Sequence, residues 1–202
     1  MTSVARKDPK PKSNRESEKG TDLLARLDNA EAASVLKTLL VRHRELHSEA
    51  EAIARDLLTE ISPLSVAADV EAALLQYDYD DLNGRAGSHS GGYVEPSEAA
   101  WELLEEALEP FVSEMQRYLE MGLEDQARQF CQGILLGLYR VRGQDNDVLG
   151  WAEDFPADSA GKAMRVWMSA AGTGKPRALP PGFVREHLPD WDRVLKPAAE
   201  DQ

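Results

Sequence analysis

His43 and His47 are four residues apart, a spacing that places both side chains on one face of a helix. Zinc enzymes use this spacing in the motif H-E-x-x-H, where the glutamate is the general base. Here Glu45 lies one position too late, and no third ligand can be identified. We interpret the pair as a helix end, where histidines complement the helix dipole.

An acidic cluster, Asp78, Asp80 and Asp81, precedes Asn83-Gly84 and resembles part of a calcium-binding loop. That template needs carboxylate ligands at its first and last positions and a glycine at the sixth. If Gly84 is the sixth residue, Tyr79 and Ser90 occupy those two positions. Neither side chain can replace a carboxylate, so the cluster is interpreted as a solvated acidic loop.

The acidic cluster belongs to the segment 76–95, which is the longest internal stretch without helical periodicity. Loops of this length in a compact domain are usually functional or mobile. A contact loop for a basic partner is therefore the alternative interpretation. Its candidate contact residues are Asp78, Asp80, Asp81, His89 and Tyr93.

Two further sequence features resemble parts of catalytic or nucleotide-binding sites but lack residues that such sites need. Gly172-Thr173-Gly174-Lys175 resembles the end of a phosphate-binding loop, but Ser169 replaces the first glycine and Pro176 follows the lysine. We interpret this segment as a flexible linker. Cys131, the single cysteine, lies within a predicted helix with no base nearby in sequence, which indicates a buried, inert thiol.

Charge and composition limit the partners of the chain. Its 202 residues carry a formal charge of −13, although residues 1–20 hold six basic and three acidic residues. An acidic body repels phosphate backbones, which disfavours nucleic acid as a partner. The lone cysteine fits a reducing cytoplasm, and no apolar run is long enough for a membrane span or a secretory signal.

The apolar pattern predicts an all-α fold of seven to nine helices, as an irregular bundle or as stacked antiparallel hairpins. Residues 1–20 are expected to be a disordered basic tail, 21–170 a helical domain, and 171–202 a Gly/Pro linker with a C-terminal helical tail packed on that domain. No segment shows the alternating pattern of a strand.

Helix boundaries are predicted from caps and prolines. Asp28 and Glu31 form a capping box before the stripe Ala32, Val35, Leu36, Leu39, Leu40 and His43. Ser48 is expected to start a second helix, Ser62-Pro63 to end it, and Ser65 to cap a third. Pro96 is expected to begin a helix that Pro110 breaks or kinks.

Three glycines have predicted structural roles. Tyr118, Gly122 and Ala127 have the spacing of a tetratricopeptide hairpin, although no second copy of the repeat is found. The sequence thus predicts a helical hairpin that turns at Gly122. Gly133 and Gly137 each cost a helix about 1 kcal/mol relative to alanine, which indicates that another helix crosses closely there.

A family resemblance rests on LLARLDNAEAASVLKTLL, SEAEAIARDLL and PSEAAWELLEEALEPFVSEMQRYLEMGLEDQA within residues 22–140. These segments resemble the helical region beside SWIM-type zinc fingers in uncharacterised bacterial proteins. The resemblance implies an α-helical, repeat-like module of unknown activity. The zinc finger itself needs several cysteines, so its zinc and nucleic-acid roles are not implied for this chain.

These observations favour a cytoplasmic, non-catalytic module that binds or scaffolds another protein, with no cofactor or metal. The identity of that protein and the oligomeric state are left open. An enzyme with an unrecognised polar pocket, formed by carboxylates or His89, is one alternative. The other is an acidic surface that mimics nucleic acid and binds a basic protein.

Overall fold

The chain divides into two units in the computed structural model, which describes residues 21–58, 60–169, 177–191 and 193–195. The first unit ends at Asp56 and the second begins at Leu57. The predicted tail, 1–20, and the Gly172–Lys175 motif lie outside the described residues.

The first unit contains two helices of more than ten residues. Its elements are α1 (Thr21–Leu24), α2 (Asn29–Arg42), a 3₁₀ turn (Arg44–Leu46) and α3 (His47–Leu57), whose last residue begins the second unit. The predicted capping box starts α2: Asp28 accepts from the Glu31 backbone N–H at 2.8 Å, and Glu31 accepts from the Asp28 N–H at 3.0 Å. None of the side chains described in this unit is buried.

The second unit holds the hydrophobic core. Its elements are α4 (Pro63–Leu75), α5 (Tyr79–Arg85), β1 (Gly87–His89), β2 (Gly92–Val94), α6 (Pro96–Glu120), α7 (Glu124–Val141), a 3₁₀ turn (Leu149–Trp151), α8 (Phe155–Ser169), α9 (Phe183–His187) and a 3₁₀ turn (Pro189–Trp191). Helix α7 is central and packs against α4, α6 and α8. The predicted all-α class with seven to nine helices is confirmed.

Helices α4 and α7 cross so closely that valine side chains of α4 lie against the backbone of α7 at two glycines. A β-carbon built on Gly133 would lie 2.5 Å from the Val66 β-carbon, and one built on Gly137 would lie 2.6 Å from the Val70 β-carbon. Real β-carbons do not approach so closely, so each glycine makes room for a valine. Glycine inside a helix is less stable than alanine, and the close packing against α4 explains why α7 has glycine at these two positions.

The hairpin between α6 and α7 turns at Gly122, where the sequence placed it. Gly122 has φ +71°, a left-handed conformation that favours glycine. The Leu123 N–H donates to the Tyr118 carbonyl oxygen at 2.9 Å, and the Gly122 N–H donates to the Leu119 carbonyl oxygen at 3.0 Å. These two bonds form a Schellman motif, which satisfies carbonyls at the end of α6.

The predicted helix end at Ser62-Pro63 and the predicted cap at Ser65 are wrong because proline can also begin a helix, and Pro110 does not break α6. Ser62 is the N-cap of α4, and its hydroxyl accepts from the Ser65 N–H, so Ser65 does not cap the helix. Pro63 is the first helical residue, where its missing N–H costs nothing. Pro110 lies inside α6, which continues through it because buried residues on both sides, including Leu104 and Met115, hold the helix in place.

The segment predicted as a long loop contains α5 and a short hairpin. Strands β1 and β2 pair antiparallel, with Ser88 opposite Tyr93 and His89 opposite Gly92. Each strand has three residues, too few for an alternating pattern to be recognised. Helix α5 has seven residues, so its periodicity is equally hard to see.

The C-terminal segment packs on the body of the second unit. Trp191 is buried and its ring meets Tyr139 edge-on, with the ring centres 5.2 Å apart. The Arg142 guanidinium donates to the Asp190 carboxylate at 2.7 Å. Arg177 donates to the Trp167 carbonyl oxygen at 3.0 Å and pairs with Glu124 at 3.1 Å.

Candidate interaction surface

The predicted stripe of α2 is solvent-exposed except at Leu40, which is half-buried. We call Ala32, Val35, Leu36, Leu39, Leu40 and His43 the α2 face. Val35 is 44% exposed, Leu36 50% and Leu39 42%. Small proteins rarely leave large apolar side chains contiguous and exposed, and such patches commonly mark interaction sites.

Local contacts hold α2 in shape although its apolar side is uncovered. The Asp28 capping box fixes its first turn. At the other end, the His43 N–H donates to the Leu39 carbonyl oxygen at 2.9 Å, and the His47 ring nitrogen Nε2 bonds the Leu40 carbonyl oxygen at 3.1 Å. Both helix ends are therefore satisfied without a tertiary partner.

The two histidines lie on either side of the 3₁₀ turn between α2 and α3, so they do not share a helix face. Helix α2 ends at Arg42, and α3 begins at His47. His43 Nδ1 lies 3.1 Å from the Glu45 carboxylate. A backbone hydrogen bond and, second, this histidine contact lower the pKa of Glu45. The predicted common face is wrong because a 3₁₀ turn separates the helices.

A shallow groove of about 350 Å³ runs along one edge of the α2 face. Its lining combines apolar side chains with hydroxyls and a guanidinium: Ser34, Val35, Thr38, Leu39, Arg42 and His43. The Ser34 and Thr38 hydroxyls donate to backbone carbonyl oxygens of α2, so the groove offers apolar contact beside the Arg42 guanidinium. This combination is typical of surfaces that bind a helix or an extended segment of protein.

Sequence reasoning found the α2 stripe but not its exposure. Periodicity is the same for a buried stripe and an uncovered one. One signal was available: the first aromatic residue of the chain is Tyr77, so residues 21–56 contain no Phe, Tyr or Trp. Aromatic side chains dominate core burial, and a segment without them is poorly equipped to build a core.

The predicted contact loop has its aspartates committed to local structure. Asp78 is the N-cap of α5 and accepts from the backbone N–H groups of Asp80 at 2.9 Å and of Asp81 at 3.1 Å. Asp81 accepts in return from the Asp78 N–H at 3.0 Å. The cluster is a second capping box, which explains carboxylates at this spacing without a cation.

His89 and Tyr93 lie on the hairpin that follows α5. The His89 ring contacts the Arg85 carbonyl oxygen at 2.6 Å, and Arg85 itself donates to Glu106 of α6 at 2.8 Å. This bond is the main reason that the pKa of Glu106 is lowered. Tyr93 is exposed and contributes the only large side chain of this group that a partner could cover.

No group of three or more metal-ligating side chains is arranged to hold an ion in the part of the chain that the structure describes. Cys131 is fully buried in α7, and this burial raises the pKa of its thiol to about 12. A thiol in that state is a poor nucleophile near neutral pH.

A second groove, of about 310 Å³, lies between α6 and α8. Lys162 crosses it, pairs with Glu105 at 2.7 Å and lies over the Trp101 ring, 5.2 Å from its centre. Its walls also include Leu108, Val112 and Val166. Glu109 also lines the groove and accepts from the Ser113 hydroxyl at 2.7 Å.

Exposed carboxylates form a regular stripe on α6, at Glu98, Glu102, Glu105 and Glu109. Spacings of three and four residues arise on any exposed helix side. Arg85 lies 3.9 Å from Glu102, and Lys162 pairs with Glu105. Because cations neutralise part of the stripe, it resembles an ordinary solvated face more than a copy of a phosphate backbone.

No protein-family model, no curated protein and no solved structure matches this chain. Among the described residues, no helix has both the length and the apolar character of a membrane span. The arguments about function therefore come from the geometry of the chain itself.

Proposed function

We propose that this chain is a non-catalytic protein-interaction module and that the α2 face is its binding surface. One observation carries the proposal: α2 is capped at both ends, yet its apolar side chains remain uncovered. Apolar side chains in water are costly, and burial against a partner removes that cost. A 14-residue helix is also marginal by itself, so a partner would stabilise it.

Three of the other sites described above agree with this proposal. The single thiol is buried, Asp78 and Asp81 form the capping box of α5, and Lys162 pairs with Glu105 in the α6–α8 groove. A cytoplasmic location is part of the proposal and is supported by the use of one cysteine in 202 residues.

Site-specific photo-crosslinking in cells that make the full chain tests the proposal. A photoreactive side chain replaces Leu39 on the α2 face, and the matched control carries it at Val41, on the opposite side of the same helix. We expect discrete protein adducts from position 39 and none from position 41. Absence of adducts at position 39, or equal labelling at both positions, would refute a binding role for the α2 face.

A further inference from the structure

We propose that the α2 face binds a second copy of this chain, with the two α2 helices antiparallel. This inference rests on the proposed function and names the partner. It follows from where α2 carries its charges and from how charge is distributed over the rest of the chain.

Helix α2 has three charged side chains, Glu31, Lys37 and Arg42. Glu31 and Arg42 are eleven residues apart, which is close to three full turns, so they lie on the same edge of the α2 face, about 16 Å apart along the axis. Neither forms an ion pair with another described residue. Lys37 lies towards the side of the helix that faces away from the α2 face.

Only an antiparallel pair brings these two charges together. A two-fold axis perpendicular to both helices places each edge of the face beside the same edge of the partner and reverses its direction. Glu31 of one copy then lies beside Arg42 of the other, twice per dimer. In a parallel pair, each residue lies at the same height along the axis as its copy, and one edge of the face meets the opposite edge of the partner. Glu31 and Arg42 then stay apart.

The charge of the rest of the chain favours the same arrangement. Residues 57–202 hold 12 basic and 26 acidic residues, a formal charge of −14, whereas residues 21–56 hold five basic and seven acidic ones, a charge of −2. Two copies therefore repel least if they meet through the nearly neutral segment. In an antiparallel pair the chains leave α2 at opposite ends, about 21 Å apart.

The size of the contact sets its strength. Two helices of about 21 Å bury less than a standard interface, so we expect a weak dimer with a dissociation constant in the micromolar range or above. Glu31 keeps its capping role in this dimer, because only one of its oxygens accepts from the Asp28 N–H. The other oxygen is available to Arg42 of the partner copy.

Sedimentation velocity of the full chain, from about 1 μM to about 1 mM, measures this association. We expect a reversible dimer whose formation Leu39→Glu weakens at least tenfold. Val41→Glu is the matched control because Val41 is 79% exposed on the opposite side of α2, and it should leave the dimer intact. A wild-type chain that stays monomeric throughout this range would overturn the inference.

A charge exchange tests the antiparallel direction. Glu31→Arg and Arg42→Glu each place like charges together at both contacts, so each variant alone should dimerise at least tenfold more weakly. An equal mixture of the two variants restores opposite charges at both contacts and should associate like the wild type. Loss of helix cannot produce this recovery, and circular dichroism of each variant checks it independently. A mixture no tighter than its components would refute the antiparallel pair.

The two proposals can fail separately. A monomeric chain that still gives adducts with a different protein at position 39 keeps the interaction function and removes the second copy as its partner. Adducts between two copies of this chain, together with recovery in the mixed variants, support both proposals. A chain with neither adducts nor a dimer contradicts both.

Discussion

Gly133 and Gly137 show how a single residue gains its role from a neighbouring helix. The Val66 and Val70 side chains occupy the space that β-carbons at these glycines would need. The Pro63 and Ala67 carbonyl oxygens lie almost as close to those positions. Backbone oxygens cannot move aside without disturbing α4. The sequence predicted the close crossing from the cost of two glycines, but it could not predict that α4 is the helix that crosses.

Alanine at either glycine should therefore destabilise the protein. Gly133→Ala or Gly137→Ala adds a methyl group where about 2.5 Å is available, and such overpacking typically costs about 1–3 kcal/mol. Gly84→Ala is the control, since no heavy atom lies within 4 Å of a β-carbon built there and its helix gains up to about 1 kcal/mol. Denaturant unfolding measures each change. Stabilisation at position 133 or 137 would contradict the close crossing.

Asp78 gives a second prediction at the residue scale, because it caps α5. Asp78→Ala should lower the free energy of unfolding by about 0.5–2 kcal/mol through loss of two hydrogen bonds to backbone N–H groups. Asp78→Asn should retain most of this stability, since asparagine caps as well as aspartate. Thermal melts with calcium and with chelator complete the test. A calcium-dependent rise in the wild type would show that the aspartates bind a cation.

At the scale of elements, local signals predicted helices well and their surroundings poorly. The Asp28 capping box, the start of α6 at Pro96 and the turn at Gly122 depend on nearby residues, and the sequence places them correctly. Pro63 begins α4 and does not end the helix before it, and Pro110 does not break α6, because packing decides whether a proline begins, ends or interrupts a helix. The exposure of the α2 face was missed for the same reason, since it depends on what other helices leave uncovered.

The C-terminal 3₁₀ turn offers a prediction about docking of an element. Trp191 is 4% exposed, and its side chain anchors this turn against Tyr139. Trp191→Ala should cost about 3–5 kcal/mol, the usual loss for a buried large aromatic residue. Trp151→Ala, at a residue that is 49% exposed, should cost far less. A loss below about 1 kcal/mol for Trp191→Ala would indicate that the C-terminal segment does not contribute to the folded core.

At the scale of the whole molecule, stability and binding are assigned to different parts of the chain. The buried residues of the described chain begin at Val66 and continue to Leu195. Residues 21–56 contribute an exposed apolar helix and little net charge, whereas residues 57–202 contribute the core and nearly all of the negative charge. The part of the chain that holds the described core is thus also the part with the larger net negative charge.

This division predicts that a chain beginning at Leu57 folds by itself. Since none of the described residues before Leu57 is buried, their removal should change the melting temperature by less than about 4 °C, which corresponds to about 1 kcal/mol for a domain of this size. Calorimetry at a concentration where sedimentation velocity shows the full chain to be monomeric compares the two chains. The shortened chain should also remain monomeric at concentrations where the full chain associates. A larger fall in melting temperature would mean that residues 1–56 stabilise the core, and association without them would place the dimer contact elsewhere.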